Sequence, residues 1–232
     1  MNDLYLARLP MRLPALLRFA AEHGIDDPDP TQGYTVHAWL AALFGESAPK
    51  PFRYLEKRDE VLGYTRVGAE QLLYHARAYA SPLAWTALNA EGVASKPMPT
   101  LWRVDQRLRL EVLACPVVRR DQDEKDAYLH ALDRLGDAAP TRAEVYRDWF
   151  AERCAHALRL QQVEVRGMQA RSPLLRRARN GQNRLKTVER PRVLFVADAS
   201  INDDDRFAEL LARGIGRHRT FGFGMILLAP SS

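Results

Sequence analysis

The stretch GIGRHRTFGFGMILLAPSS, residues 214–232, interleaves glycines with basic and aromatic side chains and then turns apolar. Glycine permits positive φ and lets a backbone approach another chain closely. The two arginines can neutralise phosphates, and the two phenylalanines can pack or stack. The apolar run at 225–228 is typical of a buried strand. A dinucleotide-binding fingerprint is excluded because it requires a helix after its glycines. A glycine hairpin that only closes a β-sheet is the simpler alternative.

The composition of the 232 residues, with 47% hydrophobic and 27% charged side chains, predicts a globular protein with a substantial core. Thirty-four Lys and Arg stand against twenty-nine Asp and Glu, which gives a formal net charge of +5. This modest excess is compatible with a polyanionic partner. The position of the charge is therefore more informative than its total.

Neither a metal site nor a membrane segment is expected from the sequence. Cys115 and Cys154 lie far apart, and the six histidines are scattered without a ligand spacing. We therefore expect no metal and no cofactor, and two reduced thiols. No apolar run is long enough to span a bilayer, and the N-terminus lacks the pattern of a signal peptide. The expected location is cytoplasmic.

The order of predicted elements indicates two similar halves. Each half mixes strands and helices in an order compatible with a βαββαβ unit. The predicted fold is α+β, with two tandem ferredoxin-like domains at 1–118 and 126–232. The charged run at 119–125 is interpreted as the linker between them, and the proline-containing stretch 81–100 as irregular.

A short apolar helix is predicted at 35–44, in the segment YTVHAWLAALFG (34–45). Helical spacing groups four apolar side chains, at 36, 40, 43 and 44, into one stripe. His37 falls at the edge of that stripe, and Tyr34 precedes it by three residues. Both side chains are thus expected to reach one ligand, although a lone histidine near a helix start is more often only a surface residue.

A second candidate binding segment lies between Arg171 and Arg192, where many basic residues stand with a single acidic residue, Glu189. The dipeptide Asn180-Gly181 is a strong hairpin-turn signal. A basic hairpin can track along a folded RNA and neutralise its phosphates. A solvated, nonspecific loop is the alternative.

Three segments of the chain together resemble the CasE-type endoribonucleases, which cut precursor CRISPR RNA. They are the Y-x-x-H helix ending in Leu-Phe, the strand FRYLEKR (52–58) and the glycine-rich tail. Two stretches, 10–32 and 81–100, depart from the family pattern. The processing enzymes of type IV systems share the same plan, so the subtype stays open.

The resemblance implies a metal-independent endoribonuclease that cleaves the CRISPR repeat stem-loop by attack of the RNA 2′-hydroxyl. It implies catalytic roles for His37, Tyr34 and a basic residue of the hairpin, which we assign to Lys186, or to Arg184 if the register shifts. Arg8, Arg12, Arg18 or Arg53 are the alternatives if His37 is not catalytic. The expected RNA-binding residues are Arg171, Arg176, Arg177, Arg179, Arg184, Gly214, Gly216, Arg217, His218, Arg219, Gly222 and Gly224.

The implied partners are the repeat RNA, the mature CRISPR RNA and other subunits of an interference complex, in which the product is retained. Two other functions are compatible with the sequence. One is a structural RNA-binding subunit of such a complex that does not cut. The other is a general single-strand RNA-binding protein, which should carry its aromatic motif on a central strand. The only similar segment here is TFGFG (220–224), near the end of the chain.

Overall fold

The computed structural model describes residues 4–25, 29, 31–120, 123–177 and 185–230. Two compact units are present. The first unit consists of Met1–Thr100, Pro173–Val188 and Thr220–Gly222, and the second of Leu101–Ser172, Glu189–Arg219 and Phe223–Ser232. The predicted domain boundary between residues 118 and 126 stays a prediction.

The first unit is built on a four-stranded antiparallel sheet. Its elements are, in chain order, β1 (Tyr5–Pro10), α1 (Leu13–Glu22), α2 (Gly33–Phe44), β2 (Phe52–Leu55), β3 (Glu60–Thr65), α3 (Ala69–Tyr79), α4 (Pro82–Ala87) and β4 (Ala94–Pro97). The strand order is β2-β3-β1-β4, with Tyr5 opposite Thr65 on one side and Pro97 on the other. This is the order of a ferredoxin-like fold.

The second sheet repeats this order. Its unit contains β5 (Arg107–Ala114), β6 (Val117–Arg120), β7 (Asp123–Asp126), α5 (Ala127–Leu135), α6 (Arg142–Cys154), α7 (Asp204–Arg213) and β10 (Ile226–Pro230). Two long strands, β8 (Leu158–Arg177) and β9 (Leu185–Ile201), contribute residues to both units. The order β10-β5-β9-β8 again places the first and third strands in the centre. Two tandem ferredoxin-like folds, as predicted, are therefore confirmed.

Helix α2 is fixed by the apolar stripe that the sequence predicts. Val36, Leu40, Leu43 and Phe44 are each at most 1% exposed. Trp39 is also fully buried, and its indole Nε1 donates a hydrogen bond of 3.0 Å to the carbonyl of Ala84. Burying an aromatic side chain of this size contributes about 1.5–3 kcal/mol to folding. Packing on this scale gives α2 a fixed face, which determines where its remaining side chains point.

The segment 81–100 was predicted to be irregular, and that prediction is wrong. It forms α4 and β4. The Oγ of Ser81 accepts a hydrogen bond from the backbone N–H of Ala84, and Pro82 occupies the first helical turn. A proline is compatible with that position because its missing N–H would have no helical partner there. The proline that was interpreted as a breaker is instead part of a helix start.

The described residues of the charged run at 119–125, predicted as a linker, belong to two paired strands, β6 and β7. β6 and β7 pair antiparallel, with Arg119 opposite Glu124. The side chain of Glu124 is only 3% exposed, so this run does not have the solvated character of a linker. Every helix in the described part of the chain is too short or too polar to cross a bilayer.

Candidate active site

The start of α2 is held by an aspartate that precedes the helix. The carboxylate Oδ2 of Asp29 accepts hydrogen bonds of 2.9 Å from the backbone N–H groups of both Tyr34 and Thr35. The hydroxyl of Thr31 donates to the other carboxylate oxygen at 3.2 Å. Gln32 has a left-handed backbone with φ of 53° and supplies no side-chain cap. Asp29, which is 7% exposed, therefore replaces the usual capping residue and is favourable there because the N-terminus of a helix is positive.

Three rings meet at this end of the helix. The ring centroids of Tyr34 and His37 are 6.2 Å apart, as expected for residues three positions apart. Phe221 stacks on Tyr34 at 6.1 Å and presents an edge contact to His37 at 5.6 Å. The predicted proximity of Tyr34 and His37 is thus confirmed, and the glycine-rich stretch supplies a third member that sequence spacing could not place.

Arg177 is a cation in direct contact with this cluster. Its Nε donates a hydrogen bond of 3.1 Å to the hydroxyl of Tyr34. Sequence reasoning assigned Arg177 to RNA binding and Lys186 to charge stabilisation, whereas the structure joins Arg177 to the tyrosine. Lys186 lies exposed on β9. Its catalytic role stays a prediction.

The surroundings of His37 favour its neutral form. Partial burial lowers the pKa of its imidazole, and the positive charges of Lys50 and Arg177 lower it further. A histidine of this kind is a proton acceptor at neutral pH. Lys50 was not singled out from the sequence, because no spacing or motif connects it with α2.

Close packing with Phe221 explains why α2 begins with a glycine. A Cβ placed on Gly33 would lie 2.7 Å from the carbonyl oxygen of Phe221, which is far inside normal contact. Gly222, with φ of 84°, lies against the ring of Phe52 in the same unit. Gly33 thus allows the Phe221 segment to approach the helix, and Gly222 allows the positive φ that follows Phe221.

The basic part of the glycine-rich stretch has a different environment in the second unit. Arg217 donates a hydrogen bond from Nε to the carboxylate of Glu124, and the Nε2 of His218 lies 3.0 Å from the same carboxylate. Arg190 is a third neighbour of this carboxylate, with its Nε 3.6 Å away. We call these four residues the Glu124 cluster. Sequence reasoning missed Glu124 because acids in a charged run are usually solvated.

The other predicted RNA-binding residues have varied surroundings. Arg171 is 79% exposed, with Nε 3.7 Å from a carboxylate oxygen of Glu189. Arg176 is half-buried on β8, and Arg219 donates to the carbonyl of Arg213 at 2.6 Å. Gly214, Gly216 and Gly224 all have positive φ; of these, Gly216 faces the ring of Trp149, 2.8 Å from where its Cβ would lie. Arg179 and Arg184 lie outside the described residues.

The alternative catalytic arginines are mostly engaged in structural contacts. Arg8 donates from Nε to the buried Glu60 at 2.7 Å, and Arg12 donates to the carbonyls of Thr86 and Leu88. Arg18 is exposed on α1, and Arg53 is half-buried on β2. Across the described residues, no three His, Cys, Asp or Glu side chains lie close enough together to hold a metal ion.

The chain combines two ferredoxin-like folds with a histidine–tyrosine pair at the start of α2 and a glycine-rich stretch near its C-terminus. These features define a class of proteins with two ferredoxin-like folds and a histidine placed for proton transfer. A family model described as CRISPR associated protein matches residues 4–230. The chain therefore belongs to the family of CRISPR-associated proteins. Comparison with curated proteins finds no match.

Solved structures show the same fold at low sequence identity. The structure of CRISPR endoribonuclease Cse3 bound to 19 nt RNA has a TM-score of 0.65 and 17% identity, covering 98% of this chain and 100% of that one. Thermus thermophilus Cse3, bound to an RNA representing a pre-cleavage complex, gives 0.61 and 20%, with 98% and 100% covered. A chain of a CRISPR RNA-guided surveillance complex in a pre-nicking state gives 0.58 and 18%, again covering 98% and 100%.

Proposed function

We propose that this protein is a metal-independent endoribonuclease that cleaves CRISPR repeat RNA at its stem-loop. The observation that carries the proposal is the cluster at the start of α2, where His37, Tyr34 and Phe221 meet and Arg177 binds the tyrosine hydroxyl. Membership of the CRISPR-associated family, and the likeness to Cse3 bound to RNA, support this substrate class.

The reaction needs few protein groups because the RNA supplies its own nucleophile. The neutral imidazole of His37 accepts the proton of the 2′-hydroxyl beside the scissile phosphate. The 2′-oxygen attacks phosphorus, the bond from phosphorus to the 5′-oxygen breaks, and the 5′-oxygen takes up a proton from water to leave as a hydroxyl. The products are a 2′,3′-cyclic phosphate and a 5′-hydroxyl. Tyr34 orients the phosphate or sugar, and the positive charge of Arg177 stabilises the additional negative charge.

Binding is assigned to the basic residues of β8 and to the glycine-rich stretch. The exposed guanidinium of Arg171 and the arginines at 176 and 177 lie on one strand. Neutralising phosphates in this way gives affinity that depends strongly on salt. The likeness to a chain of a surveillance complex supports retention of the product with other subunits. The cytoplasmic location predicted from the sequence is part of the same proposal.

The general single-strand RNA-binding function is less well supported. Its aromatic motif belongs on a central strand, whereas residues 219–221 here form a short 3₁₀ turn that precedes β10. Phe223 is 3% exposed and contributes to the core. Only Phe221 of this pair is therefore positioned near a reactive side chain.

The test is cleavage of the repeat RNA of the protein's own locus, in EDTA, by the wild type and by His37→Ala, with binding measured in parallel. We expect the wild type to cut without metal and the variant to bind equally and cut far more slowly. Equal cutting by both proteins would move the catalytic role away from His37. Binding without cutting by the wild type would identify a structural RNA-binding subunit and overturn the proposal.

A further inference from the structure

The Glu124 cluster joins two parts of the second unit that are distant in sequence. Glu124 lies on β7, whereas Arg217 and His218 lie in the glycine-rich stretch between α7 and β10. The carboxylate is 3% exposed, and the imidazole facing it is 6% exposed. A carboxylate buried to this extent needs hydrogen-bond or ion-pair partners, and the Glu124 cluster supplies them.

The backbone around Arg217 and His218 has an uncommon conformation that needs restraint from its surroundings. Gly216 has φ of 78°, and His218 has φ of 60°, a left-handed conformation that a residue other than glycine adopts only when its surroundings hold it. The contact between His218 and Glu124 provides that restraint on the side-chain level. Arg217, the preceding residue, is bound to the same carboxylate.

We infer that Glu124 is a positioning residue for RNA binding, and that Arg217 and His218 act through it rather than as direct phosphate ligands. The inference rests on the proposed function, because it concerns the loop that is to bind the RNA. Glu124 holds the glycine-rich stretch in its binding conformation before RNA arrives. Order that exists in the free protein does not have to be created on binding, and affinity is higher as a result.

The direction in which RNA affinity changes when the charge of Glu124 is removed separates this role from a general electrostatic effect. Removing an acid from a protein that binds a polyanion should strengthen binding through Coulomb attraction. Glu124→Gln should instead weaken binding of the repeat RNA by about tenfold, because the loop loses its restraint. Glu152→Gln is the matched control, since its carboxylate is 76% exposed and lies 3.9 Å from Arg153. It should leave binding unchanged or slightly tighter.

The salt dependence of binding tests Arg217 separately. A direct phosphate contact contributes about one to the slope of log Kd against log salt concentration. Because Arg217 is inferred to make no direct phosphate contact, Arg217→Gln should weaken binding without changing this slope. The double variant with Glu124→Gln should bind RNA no more weakly than the weaker-binding of the two single variants, because both substitutions remove the same restraint. Thermal unfolding measured on each protein tests whether each variant is folded at the assay temperature.

Four outcomes are distinct. A weaker Glu124→Gln together with an unchanged slope for Arg217→Gln supports the inference. If Glu124→Gln behaves like the control, or if Arg217→Gln lowers the slope by about one, the inference is wrong while the proposed function stands. If Glu124→Gln does not fold, the slope of Arg217→Gln alone decides. If the wild type neither binds nor cuts the repeat RNA, the proposed function and this inference fail together.

Discussion

His37 and His218 are the two histidines that the sequence places in a functional setting, and the structure surrounds them with opposite charges. His37 is half-buried near Lys50 and Arg177, which favour the neutral imidazole. His218 lies 3.0 Å from the buried carboxylate of Glu124. A neutral ring near cations is suited to accepting a proton, whereas a ring held by a carboxylate is suited to fixing a loop. Residue type alone does not distinguish these roles.

The largest effects are expected from removing the side chain of each histidine, and these effects should differ in kind. His37→Ala should lower the single-turnover cleavage rate of bound repeat RNA by about 10²–10⁴-fold, the contribution typical of a general base, without weakening binding. His218→Ala should mainly weaken binding and leave the rate at saturating protein within a few fold. Cleavage and filter-binding measurements on both variants check this. Equal losses of rate in both variants would contradict the assignment of separate roles.

Removing the carboxylate of the second region should have the next largest effect. Glu124→Ala leaves the guanidinium groups of Arg190 and Arg217 beside a buried site without their carboxylate and should lower the free energy of unfolding by about 3–5 kcal/mol. Urea denaturation at pH 7 measures this. Glu152→Ala, an exposed acid in the same unit, should change stability by less than about 1 kcal/mol.

The pH dependence of that effect has a defined sign. His218 lowers the pKa of Glu124 most, burial opposes this, and Arg217 lowers the pKa further, so the net pKa is well below the ordinary value of 4.5. A carboxylate with a depressed pKa in the folded state stabilises the protein above its unfolded pKa and loses this contribution as pH falls. The difference in stability between the wild type and Glu124→Gln should therefore shrink as pH is lowered below 4.5. A difference that is constant across this range would contradict the ion-pair interpretation.

A smaller effect should come from the contact between α2 and Phe221. Gly33→Ala places a methyl group against the Phe221 carbonyl, so the segment must shift, at a cost of about 1–3 kcal/mol. Gly68→Ala is the control, because its Cβ would lie 3.7 Å from the nearest atom, Ser95 Oγ. The first substitution should lower both the free energy of unfolding, measured by urea denaturation, and the single-turnover cleavage rate. The second should leave both nearly unchanged. Equal stability of the two variants would show that Phe221 does not pack as described.

The finest test concerns the charge near His37. Lys50→Gln removes a cation that disfavours the imidazolium, so the pKa of His37 should rise. If the neutral ring is the base, the rate falls as pH drops below this pKa, and the acid limb of the pH–rate profile should move to higher pH. Lys57→Gln, a change at another exposed lysine of the first unit, should leave the limb in place. A shift to lower pH in Lys50→Gln would contradict the proposed environment.

The sequence predicts those features that depend on local periodicity. The stripe from Val36 to Phe44 follows from helical spacing, and so does the proximity of Tyr34 and His37. The two ferredoxin-like folds follow from element order. None of these predictions requires knowledge of contacts between distant segments.

Features that depend on long-range contacts could not be predicted. Phe221 reaches His37 only through the folded chain, and nothing in its sequence neighbourhood indicates that contact. Glu124 stands in a charged run, whose usual interpretation is a solvated segment, and its burial follows from three partners that come from β9 and the glycine-rich stretch. Asp29 stands in the loop-like sequence DDPDP (26–30), where its role at the start of α2 depends on the precise turn of the chain.

The hydrogen bonds of Asp29 have a further consequence for how an RNA phosphate is held. Helix N-termini commonly bind phosphates through their exposed amides and positive dipole. Here the amides of Tyr34 and Thr35 already donate to a carboxylate, and that carboxylate would repel an incoming anion. The N-terminus of α2 is thus closed to phosphate, and anion recognition at this site falls to side chains, which can be exchanged one at a time without dismantling the helix.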